Sequence, residues 1–535
     1  MEKITTDIYS FEKLRKNGFV YVDKTDLLWR LVAMKDGSQF FIARPRRFGK
    51  SLMLSTLKCI FEGRRDLFRG LKIEKKRYDW KKYPVVHLDM SGVKGETPDE
   101  LKASLHSVVD GIAAKFGIEV AQDNPVGTRF GLALDALYAK SGEYVVLVDE
   151  YDVPLQGFFG DNAALLRVRK LMHDFYINLK KHEPQIRFLM LTGVTKLTKV
   201  SVFSGLNHLV DLTMDEPRYA AMLGYTSKEI EQFYPKRLDA FAKKLKTDRK
   251  GALKRLLDWY DSYWFCPDSR ARVCNPISIA KTLRLAKIDN YWVKTAVSSL
   301  VMERIAAAGK TPDDFEGCTA TKDELDLCEA TELPAKSLMY QSGYLTIKGL
   351  SKTEVDENGN PKLILGAPNH EVRGAIRSGW FDGFLKVSAG EFDALVDAAK
   401  NQIAAGDLRG LLYDSLFALY AKIPPTWRVK DEAEAKRYFL LFMQMAGANP
   451  QPERASLLGY ADAIIETRKF VWVFEFKFNK STSAAVRQIR EKGYAAQYKG
   501  DKRPVTLVGV NFRTAKRNID EPLFAKFRSG CKGEF

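Results

Sequence analysis

Gln39-Phe-Phe-Ile-Ala-Arg44-Pro-Arg-Arg-Phe-Gly49-Lys50-Ser51-Leu-Met-Leu-Ser-Thr-Leu-Lys-Cys-Ile-Phe61 sets the architecture of the first part of the chain. An apolar run at 39–43 precedes a polar loop, and apolar residues then recur at helical spacing, so the order is strand, loop, helix. Gly49-Lys50-Ser51 at the loop-to-helix junction suits a phosphate. Amides at a helix N-terminus hold the anion, Lys50 reaches the β and γ phosphates, and the Ser51 hydroxyl ligates Mg²⁺. Arg44 stands where the usual motif has its first glycine, and Pro45 offers no amide hydrogen. Arg46 or Arg47 is therefore expected to supply the missing positive charge, with Arg44, Phe48 and Gly49 completing the nucleotide loop. A Gly-Lys-Ser turn can also be a plain helix cap.

Further along, Tyr144-Val-Val-Leu-Val148 ends abruptly in Asp149-Glu150. In a P-loop ATPase such an aspartate holds the Mg²⁺ shell, and the adjacent glutamate orients or deprotonates the attacking water. Paired acids can equally cap the next helix. Both pieces nevertheless fall in the expected order, each at the carboxyl end of a strand, where open parallel sheets bind ligands. Further strands are expected at Pro84–Met90 and Arg187–Thr192, where the Thr192 hydroxyl is a candidate sensor of the γ-phosphate. Strands alternating with helices imply a parallel sheet covered on both faces.

The 535 residues exceed what one core usually serves, so several domains are expected. With 45% hydrophobic and 28% charged residues the composition is that of globular domains, which excludes a disordered or fibrous chain. A net charge of +18 favours a polyanionic partner, nucleic acid first, although a basic surface can be merely solvated. Cysteines 59, 266, 274, 318, 328 and 531 lack metal-ligand spacing and read as reduced thiols. The opening residues lack the apolar core of a secretory signal, and no apolar run approaches membrane-spanning length. A cytoplasmic location without membrane attachment is expected.

Residues 1–225 are assigned to the ATPase domain and 226–375 to a mostly helical connecting region. The latter includes a hairpin around Asp356-Glu-Asn-Gly-Asn-Pro361. Residues 376–535 form a third domain, whose later part reads α-β-β-α-β: a helix from Asp431, strands at Leu458–Glu466 and Phe470–Phe478, a helix at Ser481–Tyr498 and a strand at Val505–Asn511. Strand alternation puts Glu475 and Lys477 on one face, and a suitable hairpin register brings Asp462 beside them. Two carboxylates and an amine suit phosphodiester hydrolysis: Asp462 and Glu475 would bind Mg²⁺ and Lys477 would position or deprotonate a water. An exposed Glu-x-Lys is more often a cross-strand ion pair, but the flank Val471-Trp-Val-Phe474 sets these charges at a core margin, where they need partners. Between Lys477 and Arg517 eleven basic residues face two acidic ones, a surface suited to a phosphate backbone. Tyr494, Tyr498 and Phe512 there are candidates for stacking on bases or for the core.

Tyr21-Val-Asp-Lys-Thr25, Arg44–Ser51, Val148-Asp-Glu-Tyr-Asp152 and Phe203-Ser-Gly-Leu-Asn207 with Asp211-Leu-Thr213 resemble the bacterial and archaeal predicted AAA-ATPase-like family. Fainter echoes lie at Asn275-Pro276, Gln341–Ile347 and Pro368–Arg373. That family commonly precedes a PD-(D/E)XK nuclease domain, and the last domain resembles that superfamily. The resemblance implies that Glu434 of the first helix and Gln488 of the later one join Asp462, Glu475 and Lys477. Relatives of this fusion usually carry Gly-Arg-x-Asp where this chain has Gly459-Tyr460-Ala461-Asp462. The fold expected is α/β multidomain: a P-loop parallel-sheet ATPase domain, a helical middle region and a restriction-endonuclease-like α/β domain. The implied activity is ATP hydrolysis controlling a Mg²⁺-dependent nuclease on DNA, in defence or repair, with homo-oligomers possible. The rival is a nucleotide-regulated nucleic-acid-binding protein with an inactive nuclease fold. A small-molecule kinase is a third reading, for which no acceptor or lid motif is recognisable.

Overall fold

The run Gln39–Ala43 is strand β1, buried at every position. Val85–Asp89 (β2), Tyr144–Asp149 (β3), Ile186–Gly193 (β4) and Val210–Asp211 (β5) join it in the order β2-β3-β4-β1-β5. Every neighbouring pair is parallel. The carboxyl ends of β1, β3 and β4 therefore open on one edge, which gathers Arg44, Asp149 and Gly193 from distant parts of the sequence.

The computed structural model describes residues 2–34, 38–196, 209–261, 263–292, 299–308, 310–326, 334–385, 389–423, 429–448, 450–456 and 459–527. The motif Phe203–Asn207, Cys328 and Cys531 lie outside these residues. Cys59, Cys266, Cys274 and Cys318 are free thiols. Among the described residues no helix is long and apolar enough to cross a membrane.

Two compact units emerge, Met1–Lys310 with Asp314–Ala375, and Thr311–Asp313 with Ile376–Phe535. Nearly all of the expected connecting region thus belongs to the first unit. Its helices Ser227–Phe233, Pro235–Leu245, Arg249–Tyr260 and Pro276–Leu285 share one core, which includes Leu238, Leu256 and Ile279 and takes in Ile4 and Val22 from the start of the chain. The hairpin is real and has a third member. Thr319–Ala320 (β6), Thr346–Val355 (β7) and Pro361–Gly366 (β8) pair antiparallel in the order β6-β8-β7.

In the second unit the helix Glu432–Met445 precedes Gln451–Ser456 (β9), Gly459–Glu466 (β10) and Val471–Phe478 (β11). The helix Thr482–Glu491 then crosses to Val505–Arg513 (β12), and Asn518–Ile519 (β13) and Leu523–Lys526 (β14) pair with β12. β11 and β12 are parallel and the other pairs antiparallel. Phe439 packs on Phe474 and Phe476, with ring centroids 4.9 Å apart in each case. Burying such a ring contributes about 1.5–3 kcal/mol. On the other face Ile464, Val473 and Ile489 share a core. A Cβ on Gly509 would lie 2.3 Å from the Thr482 carbonyl oxygen, so glycine lets this helix settle directly on β12 beside Glu475, the register partner of Gly509.

Candidate active sites

The helix Lys50–Phe61 begins at Gly49, whose φ of 94° suits glycine and which offers no side-chain cap, leaving the first amides without a side-chain acceptor among the described residues. Lys50 donates its ammonium to the carbonyls of Arg44 (2.8 Å) and Pro45 (3.1 Å), and burial lowers its pKa against the pull of Asp149, Asp152 and Glu150. A cleft of about 1020 Å³ opens here, lined among others by Arg46, Arg47, Lys50, Ser51, Asp149 and Glu150. Glu150 has a φ of 52°, a strained setting for a residue with a side chain. Burial, helped by Asp149 and Asp152, raises its pKa. Arg46 and Arg47 are exposed at the cleft, where Arg46 donates to Gln156 Oε1 at 3.3 Å and Arg47 to the Tyr9 hydroxyl.

Three expected ligand contacts prove to have other duties. Arg44 is only 1% exposed: its guanidinium donates to the carbonyls of Ala43 and Thr213 at 2.9 Å and lies 4.2 Å from the Phe265 ring centroid. It ties the end of β1 to the chain after β5 and does not face the phosphate cleft. Phe48 buries its ring against Tyr263 and Phe265, so only its backbone belongs to the loop. Thr192 is buried and donates to Asp149 Oδ1 at 2.6 Å. Its hydroxyl fixes the metal-ligand candidate instead of facing a γ-phosphate.

Asp152 was not singled out from sequence, yet it is buried and accepts from Val194 N, Thr195 N and Thr195 Oγ1, the last at 2.6 Å. It pins the chain leaving β4 to the turn that carries Glu150. The middle region braces the loop from behind. Asn275 Nδ2 and Trp292 Nε1 both donate to the Arg46 carbonyl, at 3.4 and 3.1 Å. Trp292 N and Ser278 Oγ donate to buried Glu371, at 2.6 and 2.7 Å, and burial pushes that carboxyl up to about 7. Gly343, at a φ of 87°, lies so close to Pro45 that a Cβ would meet the proline ring at 2.6 Å.

In the second unit the β10–β11 ladder runs to Ala463 opposite Phe474. One step beyond, Asp462 comes opposite Glu475, and Asp462 Oδ2 accepts the Phe476 amide at 2.7 Å. Lys477 donates to Glu475 Oε1 and to the Phe476 carbonyl, each at 2.8 Å, and Lys436 donates to Asp462 Oδ1 at 3.3 Å. Asp462, Glu475 and Lys477 are thus brought together. Gln488 is not joined to them by a hydrogen bond, since its amide donates to Tyr494 Oη at 3.3 Å. Glu434 accepts from Lys430 N and the Tyr438 hydroxyl, and the helix carboxylate near Lys477 is Glu432, at 3.6 Å. Glu432 lies two turns before Phe439, on the stripe that packs on β11, while Glu434 is rotated away; that spacing was the available signal.

Burial, reinforced by Asp462, pushes the Glu475 carboxyl up to about 7. Burial alone would lower Lys477, but the hydrogen bond and charge of Glu475, with Glu432 and Asp462, raise it. Among the described residues no group of three or more His, Cys, Asp or Glu side chains gathers in metal-binding geometry. Mg²⁺ does not need one, since it is typically held by one or two carboxylates with water and phosphate oxygens. The donor set fits it: Glu475 is 2% exposed and its Oε2 is buried without a hydrogen-bond partner beside Asp462. Of the eleven basic residues, Lys480, Arg487, Arg490, Lys499, Lys502 and Arg517 are exposed, with no ion pair among the described residues. Tyr494, Tyr498 and Phe512 are core.

Residues 5–203 match a family described as Predicted AAA-ATPase, and residues 430–522 match the PD-(D/E)XK nuclease superfamily. A protein of Azotobacter chroococcum mcd 1, named only as an uncharacterized protein in the vnfD 5' region, is 30% identical over 532 residues, spanning 97% of this chain and 98% of its own length. The Aeropyrum pernix ORC1 protein, solved in complex with DNA, covers 66% of this chain and 89% of its own at 12% identity. The TM-score is 0.22.

Proposed function

The chain belongs to the predicted AAA-ATPase family with a C-terminal PD-(D/E)XK nuclease-superfamily domain, and on that premise we propose that it hydrolyses ATP and that its nucleotide state controls a Mg²⁺-dependent nuclease acting on nucleic acid, DNA foremost. In the first unit the triphosphate occupies the cleft, and Lys50 exchanges its two loop carbonyls for phosphate oxygens. Ser51 and Asp149 would hold Mg²⁺, Thr192 keeps Asp149 in place, and Glu150 orients the attacking water. Next to the cleft lies an apolar and aromatic cavity of about 120 Å³, lined in part by Tyr21, Leu52, Met53, Tyr225 and Ile277, which suits the nucleobase.

In the second unit Asp462 and Glu475 would hold Mg²⁺, and Lys477 positions the attacking water. At either site the ion, when bound, stabilises charge on the phosphoryl oxygens and acidifies water. The observation that carries the nuclease reading is Glu475 Oε2, a buried carboxylate oxygen without a hydrogen-bond partner among the described residues, on a side chain that neighbours Asp462 and accepts from an ammonium. Its charge is balanced by Lys477, but a buried acceptor oxygen left without a hydrogen bond is costly unless a ligand completes it. The exposed lysines and arginines supply the electrostatic footprint. The setting proposed is cytoplasmic defence or repair, with assembly into homo-oligomers.

The test is cleavage of single-stranded and duplex DNA in Mg²⁺, with and without ATP, by wild type, Lys50→Ala and Asp462→Ala. Cleavage lost in Asp462→Ala and altered in Lys50→Ala is expected; cleavage indifferent to Lys50 would remove the nucleotide control. A second reading, regulated binding without cutting, is favoured by Lys436 and Lys477 already neutralising the carboxylates. Salt-sensitive binding with no cleavage under any metal would establish it.

A further inference from the structure

Tyr460 is 62% exposed, the most exposed large apolar side chain among the described residues. A single exposed aromatic is ordinary on a protein surface; the placement of this one is not. β10 pairs with β9 without a slip from Gly459 to Ala461, and alternation puts Tyr460 on the same face as Asp462, two residues and about 7 Å along the strand. The β10–β11 pairing ends at Ala463 and Phe474, and beyond it the Phe476 amide is taken by the Asp462 side chain, so the two strands part on the stretch of β10 that carries Tyr460. The exposed ring therefore stands on the strand that carries Asp462, the next position along on the same face, with no other aromatic ring stacked on it among the described residues. Tyr494, Tyr498 and Phe512 are core and offer no ring face to a ligand, whereas Tyr460 is exposed.

Resting on the nuclease-fold reading of this site, we propose that Tyr460 is a stacking platform for an unpaired nucleobase next to the phosphate bound at Asp462 and Glu475, so that the substrate class is single-stranded nucleic acid. A base within a duplex keeps both faces stacked on its neighbours and cannot offer one to the ring, whereas an unpaired base can. Stacking on one aromatic side chain is sequence-tolerant, because every base has a π-face, so the site selects strandedness and not sequence.

The experiment is equilibrium binding of the full chain in Ca²⁺ to fluorescent oligothymidylate, to the same backbone made abasic, and to a blunt duplex, comparing wild type with Tyr460→Ala and Tyr460→Phe. Wild type should prefer oligothymidylate. Tyr460→Ala should weaken that binding about ten-fold while leaving the abasic strand unchanged, and Tyr460→Phe should restore it, since the ring and not the hydroxyl does the stacking. Equal loss on the base-bearing and abasic strands, or duplex bound as tightly as single strand, would overturn the stacking role while leaving the nuclease reading intact. Failure of wild type to bind any of the three would overturn both. Because Tyr460 is exposed, its replacement leaves the core untouched, and matching thermal unfolding of the variants checks this.

Discussion

In the first unit Asp149 accepts from a neutral hydroxyl, Thr192 at 2.6 Å; in the second, Asp462 and Glu475 accept from ammonium groups, Lys436 at 3.3 Å and Lys477 at 2.8 Å. The lysines differ in the same sense. Lys50 rests on two backbone carbonyls of its own loop, while Lys477 is committed to a buried carboxylate and lies near a second, Glu432. Neutral acceptors can be exchanged for phosphate at little cost. An ion pair in a dry site must be rearranged before a dication can use the same carboxylate. The first site is therefore poised for its ligand, and the second is self-neutralised, which is the electrostatic form a restrained nuclease would take.

The contrast can be broken or sharpened by substitution. Lys50→Ala should lower ATP hydrolysis on the order of 10²–10³-fold in a phosphate-release assay; a loss below ten-fold would mean that Lys50 does not meet the phosphates. Lys477→Met should destabilise the second unit by about 3–5 kcal/mol in denaturant unfolding, because Glu475 loses its counter-ion. Lys50→Met, which gives up two hydrogen bonds to carbonyls and a longer-range attraction to Asp149, Asp152 and Glu150 but no direct ion pair, should cost less, about 1–2 kcal/mol. Equal costs would erase the difference between the sites.

The Glu371 carboxyl lies near 7 in the folded chain against an ordinary 4.5, so the folded protein keeps a proton that the unfolded chain releases. Its contribution is complete below about pH 4.5 and is lost as pH rises toward 7, about 3 kcal/mol in all. Glu371→Gln should flatten that part of the stability profile measured by thermal unfolding. The smallest effect expected is that of Thr192→Val: kcat for ATP down about ten-fold with KM unchanged, and recovery in Thr192→Ser, as befits a residue that acts through Asp149.

Four strands of the first sheet were legible because each is a short, mostly apolar run between polar ends; β1 and β3 are buried throughout, while the edge strand β2 is interrupted by half-buried His87. β5 escaped because two residues, Val210 and Asp211, carry no period. β9 escaped because Gln451-Pro-Glu-Arg-Ala-Ser456 is polar and holds a proline, and nothing in its composition distinguishes it from a loop. That Gly49, Lys50, Ser51 and Asp149 meet at one cleft was readable from local chemistry at strand ends. Arg44, Phe48 and Thr192 were misjudged because their roles depend on partners far along the chain, Thr213, Phe265 and Asp149, which spacing cannot reveal. Asp462, Glu475 and Lys477 were legible through alternation. Choosing Glu432 over Glu434 required knowing which helix stripe meets β11.

The uncapped helix start at Gly49 has a thermodynamic consequence. Most helices beginning with free amides borrow a side chain to complete them, and this one has none. The nucleotide would then act as a missing piece of secondary structure, and ligand concentration becomes a folding variable. At a hundred times its dissociation constant it would add about 2.7 kcal/mol to the first unit. In a cell, the nucleotide pool would then set how firmly this half of the molecule is folded as well as how fast it turns over.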